Sequence, residues 1–194
     1  SETYYPALDN IGNNMMQLVT SGPVGQFKDI HLGILQAVSN AKECIYIQTP
    51  YFIPTDSLLL TLQMASMRGV DVRLMLPRHS DTTFVHIASM SYLTDVLNAN
   101  INVFFFEAGF LHSKLMVIDN SLTITGSANM DIRSFEHNFE INAFIYQENF
   151  AVKMKDIFLQ DIYNCEELLY PAWRKRPITR RLTESFMRLF APLL

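Results

Sequence analysis

Three short apolar runs, Cys44–Gln48, Val70–Leu76 and Ile101–Phe106, are separated by two segments of helical spacing, and this alternation limits the fold more than any other feature. Runs of that length bounded by turn residues are buried strands, and intervening helices make crossover connections between parallel neighbours. Thr55 or Asp56 caps a helix that ends near Arg68 and Gly69, and Ser80 to Asn98 supplies the second. Upstream, Met15 to Thr20 reads as a strand ended by Ser21-Gly22-Pro23. Gln26 to Ala41 carries Phe27, Ile30, Ile34, Leu35 and Val38 at helical spacing. Residues 1–14, with Pro6, Gly12 and paired asparagines, read as a loop or tail.

The downstream pattern changes. Leu111 to Asp119 is an alternating, β-branched run, and side chains on a strand repeat every second residue. His112, Lys114, Met116 and Ile118 therefore share one face. Asp119 has the opposite parity, at the strand end before the Asn120-Ser121 turn. Leu122 to Thr125 returns as a hairpin partner and delivers Gly126-Ser127-Ala128-Asn129 to the end where His112 sits. Asn149 to Leu169 follows as a helix. The fold class these elements imply is α/β, with a mixed, partly parallel central sheet flanked by helices on both faces. Residues 1–194 read as a single domain, long enough at 194 residues to bury a sizeable core.

An imidazole, an ammonium, a hydroxyl and a carboxamide brought together suit an anionic phosphate better than a metal ion. A phosphodiester resists attack because its oxygens repel nucleophiles, so a catalyst must place positive charge and hydrogen-bond donors on them. Lys114 supplies the charge. Ser127, Asn129 and backbone N–H groups freed by Gly126 supply neutral donors. His112 can attack phosphorus or protonate the leaving alkoxide. Glu140, in the strand-like run Asn138 to Tyr146, is a candidate to orient that imidazole.

The spacing H112-x-K114-x4-D119-x6-G126-S127-x-N129 resembles the signature of the phospholipase D superfamily. More narrowly, N129-M-D-I-R-S-F, N138-F-E-I-N and the upstream Q48-T-P-Y-F-I-P54 are similar to bacterial cardiolipin synthases, as are S21-G-P23 and the C-terminal R176-P, R180-R-L and R188-L-F-A-P-L-L. The resemblance implies a metal-independent, cofactor-free phosphatidyltransferase that makes cardiolipin from two phosphatidylglycerol molecules through a phosphohistidine. Its catalytic residues carry over as His112, Lys114, Asp119 and Glu140, with Ser127 and Asn129 at the phosphate. Members of that family carry two such motifs, after hydrophobic segments that place them in the bacterial cell membrane. This chain has one motif, no apolar run of membrane-spanning length, and no initial methionine. It therefore reads as a C-terminal half whose partner is the missing first-motif half or a homodimer mate.

Charge narrows the partners. Residues 1–172 hold nine Lys/Arg against eighteen Asp/Glu, whereas residues 173–194 hold six against one. That C-terminal segment interleaves Arg174, Lys175, Arg176, Arg180, Arg181 and Arg188 with Trp173, Leu182, Phe186, Met187, Leu189 and Phe190. It has the character of an amphipathic helix that either meets anionic membrane lipid or packs back on protein. An acidic body with no broad basic stripe argues against nucleic acid, and so against a homodimeric nuclease built on the same motif. A dimerisation or membrane-docking module is the non-catalytic alternative. His79 and His86, on one predicted helix, lack the spacing of a metal pair. Cys44 and Cys165, in a predicted strand and a predicted helix, read as free thiols. Arg133 either helps position a head group or pairs with Asp131 or Glu136.

Overall fold

A computed structural model describes residues 12–193; the first eleven residues of the predicted tail lie outside that range. In chain order the strands are β1 (Met16–Ser21), β2 (Cys44–Gln48), β3 (Phe52–Ile53), β4 (Asp71–Pro77), β5 (Asn102–Phe106), β6 (Leu115–Ile118), β7 (Leu122–Gly126), β8 (Met130–Asp131), β9 (Glu140–Ile145) and β10 (Cys165–Glu167). The helices are α1 (Asp29–Asn40), α2 (Asp56–Met67), α3 (Thr83–Asn98), α4 (Ile132–Glu136), α5 (Glu148–Asp161), α6 (Tyr170–Arg174) and α7 (Ile178–Arg188).

Eight strands form one sheet in the order β1-β9-β7-β6-β2-β4-β5-β10, and β3 pairs with β8 beside it. The pairs β2–β4 and β4–β5 are parallel, as crossovers through α2 and α3 require, and the other pairs of the large sheet are antiparallel. The α2 crossover opens with Thr55, whose Oγ1 accepts from Leu58 N at 3.2 Å, and closes at Gly69, whose φ of 91° favours glycine.

Both faces of the sheet are covered. Ile45, Ile47, Leu74, Val103, Met116 and Ile124 pack with residues of α1, α2 and α3 in the main core. On the opposite face Tyr46, Met75 and Phe104 pack against Phe158 of α5, and Leu115 and Val117 against Ala151. Phe52, Phe135 and Phe158 are fully buried, and truncating any of them to alanine costs about 3–5 kcal/mol.

Two sequence expectations fail here. The predicted helix from Asn149 to Leu169 stops at Asp161; a 3-10 turn leads into β10, which pairs antiparallel with β5. That pairing satisfies backbone groups that would otherwise line an open, Phe-rich edge. Cys165 therefore lies in a strand. Both cysteines are free, and burial pushes both thiols up, Cys165 to about 11. The second failure concerns α3, which begins at Thr83, so His79 is outside the helix that carries His86.

Strand registers decide where the chemistry gathers. Gln48 at the carboxyl end of β2 lies opposite Leu115, Leu115 opposite Thr125, and Gly126 opposite Asn142. The start of β6, the end of β7 and the start of β9 thus meet at one pole of the sheet, the carboxyl end of the parallel strands. Ligand sites form there in open α/β sheets.

Candidate active site

His112 and Lys114 enter this pole on the stretch that leads into β6. The ammonium of Lys114 lies 3.4 Å from both imidazole nitrogens of His112 and donates to the His112 carbonyl at 3.1 Å. Ser113 between them turns the other way and donates to Gln48 Oε1 at 3.0 Å. Gln48 is itself buried and donates to Asp161 at 2.7 Å, so the β2–α5 framework fixes which face His112 and Lys114 present. The imidazole is exposed and stacks on the half-exposed Phe110 at 5.4 Å between centroids. Burial holds the Lys114 ammonium below the usual lysine range, against the opposing charges of Glu140, Asp131 and Asp81.

Gly126 delivers the second half of the constellation. A Cβ there would lie 2.6 Å from Asn142 Cα and collide with the Ile141 carbonyl, so only glycine lets β9 come this close. Ser127 follows, donating from Oγ to the Glu140 carboxylate and accepting from Ile141 N at 3.0 Å. Glu140 also accepts from Asn138 Nδ2 at 3.0 Å. No hydrogen bond joins Glu140 to His112 among the described residues; its carboxylate is held on Ser127 and Asn138 instead.

The expected backbone donors are not available to a phosphate. Ser127 N donates to Ile141 O at 3.0 Å and Ala128 N to Asn142 Oδ1 at 3.2 Å. Asn129 N donates to Ser134 Oγ at 3.1 Å and Met130 N to Thr49 Oγ1 at 3.2 Å. The loop spends its N–H groups on its own geometry, and this leaves side chains to meet an anion.

Asn129 donates from Nδ2 to Asp131 Oδ2 at 3.2 Å, while its Oδ1 is buried without a partner. Asp131 caps α4, accepting from Ser134 N at 2.6 Å. Burial raises its carboxyl, against hydrogen bonds from Ser134 and Asn129 that lower it. In the sequence Asp131 stands within N129-M-D-I-R-S-F and as a possible partner for Arg133, with no role assigned at the site. In the structure Arg133 is exposed and pairs with neither Asp131 nor Glu136.

Asp119 is not part of this pole. Its carboxylate accepts from the N–H groups of Lys42, Glu43 and Cys44 at 3.1, 2.7 and 3.1 Å, at the entrance of β2. The length of β6 separates it from Lys114, about 16 Å at strand rise. Thr49, which the sequence shows only as the residue after β2 within Q48-T-P-Y-F-I-P54, is fully buried and links the Tyr51 carbonyl to Met130 N. Tyr51, read in the sequence as a loop hydrophobe over the core or a lipid contact, donates from its hydroxyl to Asp81 at 2.5 Å and holds that carboxyl below the usual carboxylate range. The polar residues that close the apolar run of β2 were the available signal.

Residues 34–162 match the family model described as cardiolipin synthase, PLD-like domain, which is more than half of the chain. The chain belongs to that family. The major cardiolipin synthase ClsA of Bacillus subtilis is 42% identical over 191 residues, covering 98% of this chain and 40% of its own length. The chain thus spans about 40% of the length of the curated relatives it matches. Among solved structures, a phospholipase D family member, Nuc from Salmonella typhimurium, is similar with a TM-score of 0.68 and 23% identity over 80% of this chain and 99% of its own. The phosphatidylserine synthase of Haemophilus influenzae aligns with a TM-score of 0.67 and 13% identity, over 93% of this chain and 46% of its own. These two likenesses establish the fold of this PLD-like domain. No helix among its described residues is long and apolar enough to cross a membrane.

Proposed function

We propose that the chain is the second-motif half of a membrane phosphatidyltransferase that joins two phosphatidylglycerol molecules into cardiolipin and releases glycerol. The observation that carries this reading is the contact of the Lys114 ammonium with the His112 imidazole at the pole where Asn129 and Ser127 also gather. Lys114 neutralises a non-bridging phosphate oxygen, and Asn129 donates to another. Ser127 joins them once its hydroxyl turns from Glu140 to the phosphate.

The reaction needs two imidazoles. One forms a P–N bond as the P–O bond to the first glycerol breaks, and the other gives that glycerol oxygen its proton. The second imidazole then takes the proton of the next phosphatidylglycerol hydroxyl as that oxygen displaces the histidine from phosphorus. His112 is one of the pair, and the other comes from a facing motif in the rest of the protein. His112 is exposed, and Phe110, Phe139 and Ile141 on the same segments are 50%, 79% and 48% exposed, consistent with a site completed by a facing surface. Glu140 holds the Ser127 hydroxyl beside the phosphate position until that turn is made. Asp119 serves as the anchor that fixes the entrance of β2 to the end of β6.

The test is turnover of phosphatidylglycerol vesicles by the full-length protein. His112→Ala should abolish cardiolipin formation, and acid-labile, base-stable phosphate on the protein should be trapped with labelled lipid. Cardiolipin formation that survives His112→Ala sinks the reading. Salt-sensitive cleavage of a nucleotide phosphodiester, without action on lipid, would favour the nuclease instead.

A further inference from the structure

Helix α7 packs on α3 with its charged side inward. Glu184 is 3% exposed and accepts from Arg176 Nε at 3.0 Å and Arg180 Nε at 3.1 Å. Arg188 Nη1 reaches Asp95 Oδ2 of α3 at 2.6 Å. Arg176 lies 3.6 Å from the ring centroid of the buried Trp173, whose indole N–H donates to Thr94 of α3 at 3.0 Å. The apolar residues of the same helix face outward: Ile178, Leu182 and Phe186 are 69%, 63% and 60% exposed, and Leu189 just beyond is 74% exposed. Positions i, i+4, i+8 and i+11 make one continuous stripe. Water selects the opposite orientation, with the apolar stripe against the core, so a medium other than water meets this face.

We propose that this outward stripe docks on the surface of an anionic lipid bilayer. Charge selects that occupant. Residues 173–194 carry a formal +5 on a chain whose remainder carries −9. Arg174, Lys175 and Arg181 are exposed on this segment and form no ion pair among the described residues. Pairing the stripe with a second copy of itself would bring two such positive segments together. An anionic bilayer takes both halves of the surface: the acyl boundary receives Leu182, Phe186 and Leu189, and the head groups receive the cations. The inward carboxylates are turned to arginines on the α3 side, Glu184 to Arg176 and Arg180 and Asp95 to Arg188, which keeps negative charge away from the outer face. Docking deepens the lipid-substrate reading, but it is a binding event and needs no turnover.

The test is co-sedimentation of this 194-residue chain with vesicles. Vesicles of phosphatidylglycerol and phosphatidylcholine should bind it at least tenfold more tightly than phosphatidylcholine alone, and salt should weaken that preference. Leu182→Glu with Phe186→Glu should reduce binding tenfold or more while the circular dichroism melt stays unchanged, because both positions are exposed. Phe186→Trp should show blue-shifted emission on addition of anionic vesicles, a readout that a misfolded double variant cannot imitate. His112→Ala should bind as the parent does, which separates docking from chemistry. The proposal is overturned if the parent chain ignores anionic vesicles or if the double variant binds undiminished. Conversion of an oligomer to a monomer by the double variant, with vesicle binding unchanged, would assign the stripe to a protein partner.

Discussion

Asn129 and Asp131 are joined by a hydrogen bond that runs from the carboxamide Nδ2 to the carboxylate Oδ2 at 3.2 Å. The bond fixes which way the amide points, since a carboxylate cannot accept from Oδ1. Asp131→Asn should keep the cap on α4, because an amide oxygen can still accept from Ser134 N, but it lets the Asn129 carboxamide rotate. We expect kcat of the full-length protein to fall on the order of a hundredfold, the scale of losing one preorganised donor, with a change of less than about 1 kcal/mol in denaturant stability. Asp131→Ala should lose both function and cap. Equal stability losses in the two variants, with equal activity, would contradict the orienting role.

Asp119 and His112 should respond differently to removal. Asp119→Ala leaves three N–H groups at the β2 entrance without their shared acceptor, and the expected cost is about 2 kcal/mol. Activity per folded molecule should stay near that of the parent at low temperature. His112→Ala should do the reverse, with an unchanged melt and no turnover. Urea unfolding beside steady-state kinetics on both variants distinguishes them.

The Lys114 ammonium is held below the usual lysine range by burial, so the alkaline limb of kcat/KM should fall below that range as well. Activity requires the protonated form and is lost as pH rises through the lowered pKa. Glu140 opposes the lowering with its charge. Glu140→Gln removes that support, so the limb should move to lower pH. A limb that moves upward, or stays in place, would show that another group governs it. Lys114→Arg should push the limb out of the accessible range.

Gly126→Ala tests the approach of β9. The added Cβ would lie 2.6 Å from Asn142 Cα, which is backbone and cannot swing aside. The β7–β9 pair must separate, at a cost of about 3 kcal/mol, and Ser127 and Asn129 move with it. A drop in melting temperature accompanied by lost turnover is expected. An unchanged melt would mean that the two strands have more latitude than their register implies.

The parallel half of the sheet was legible because β2, β4 and β5 are short apolar runs cut off by Thr49, Pro77 and Glu107, and their burial leaves no other assignment. His112 and Lys114 were expected on one face of a strand from Leu111 to Asp119; β6 begins only at Leu115, and the two meet on the irregular stretch before it, where Ser113 is tied to Gln48. Strand β10 was not, because Cys165-Glu166-Glu167 continues a helical pattern and becomes a strand only when it meets the open edge of β5. The spending of the loop N–H groups was equally hidden, since their acceptors, Thr49, Ile141 and Asn142, come from elsewhere in the sequence. For α7, periodicity revealed an apolar stripe but not its direction, which depends on ion pairs with Asp95 of α3 and with Arg176, between α6 and α7.

The signature of three letters that gives this chain its resemblance spans the length of β6, with an imidazole and an ammonium at one end of the strand and a carboxylate at the other. On the proposed reading, two of those letters serve the reaction and the third serves the architecture. A descendant that abandoned catalysis while keeping its shape would shed His112 first and retain Asp119. Within such a lineage, an orphaned aspartate at the end of a hydrophobic strand would mark where an enzyme used to be.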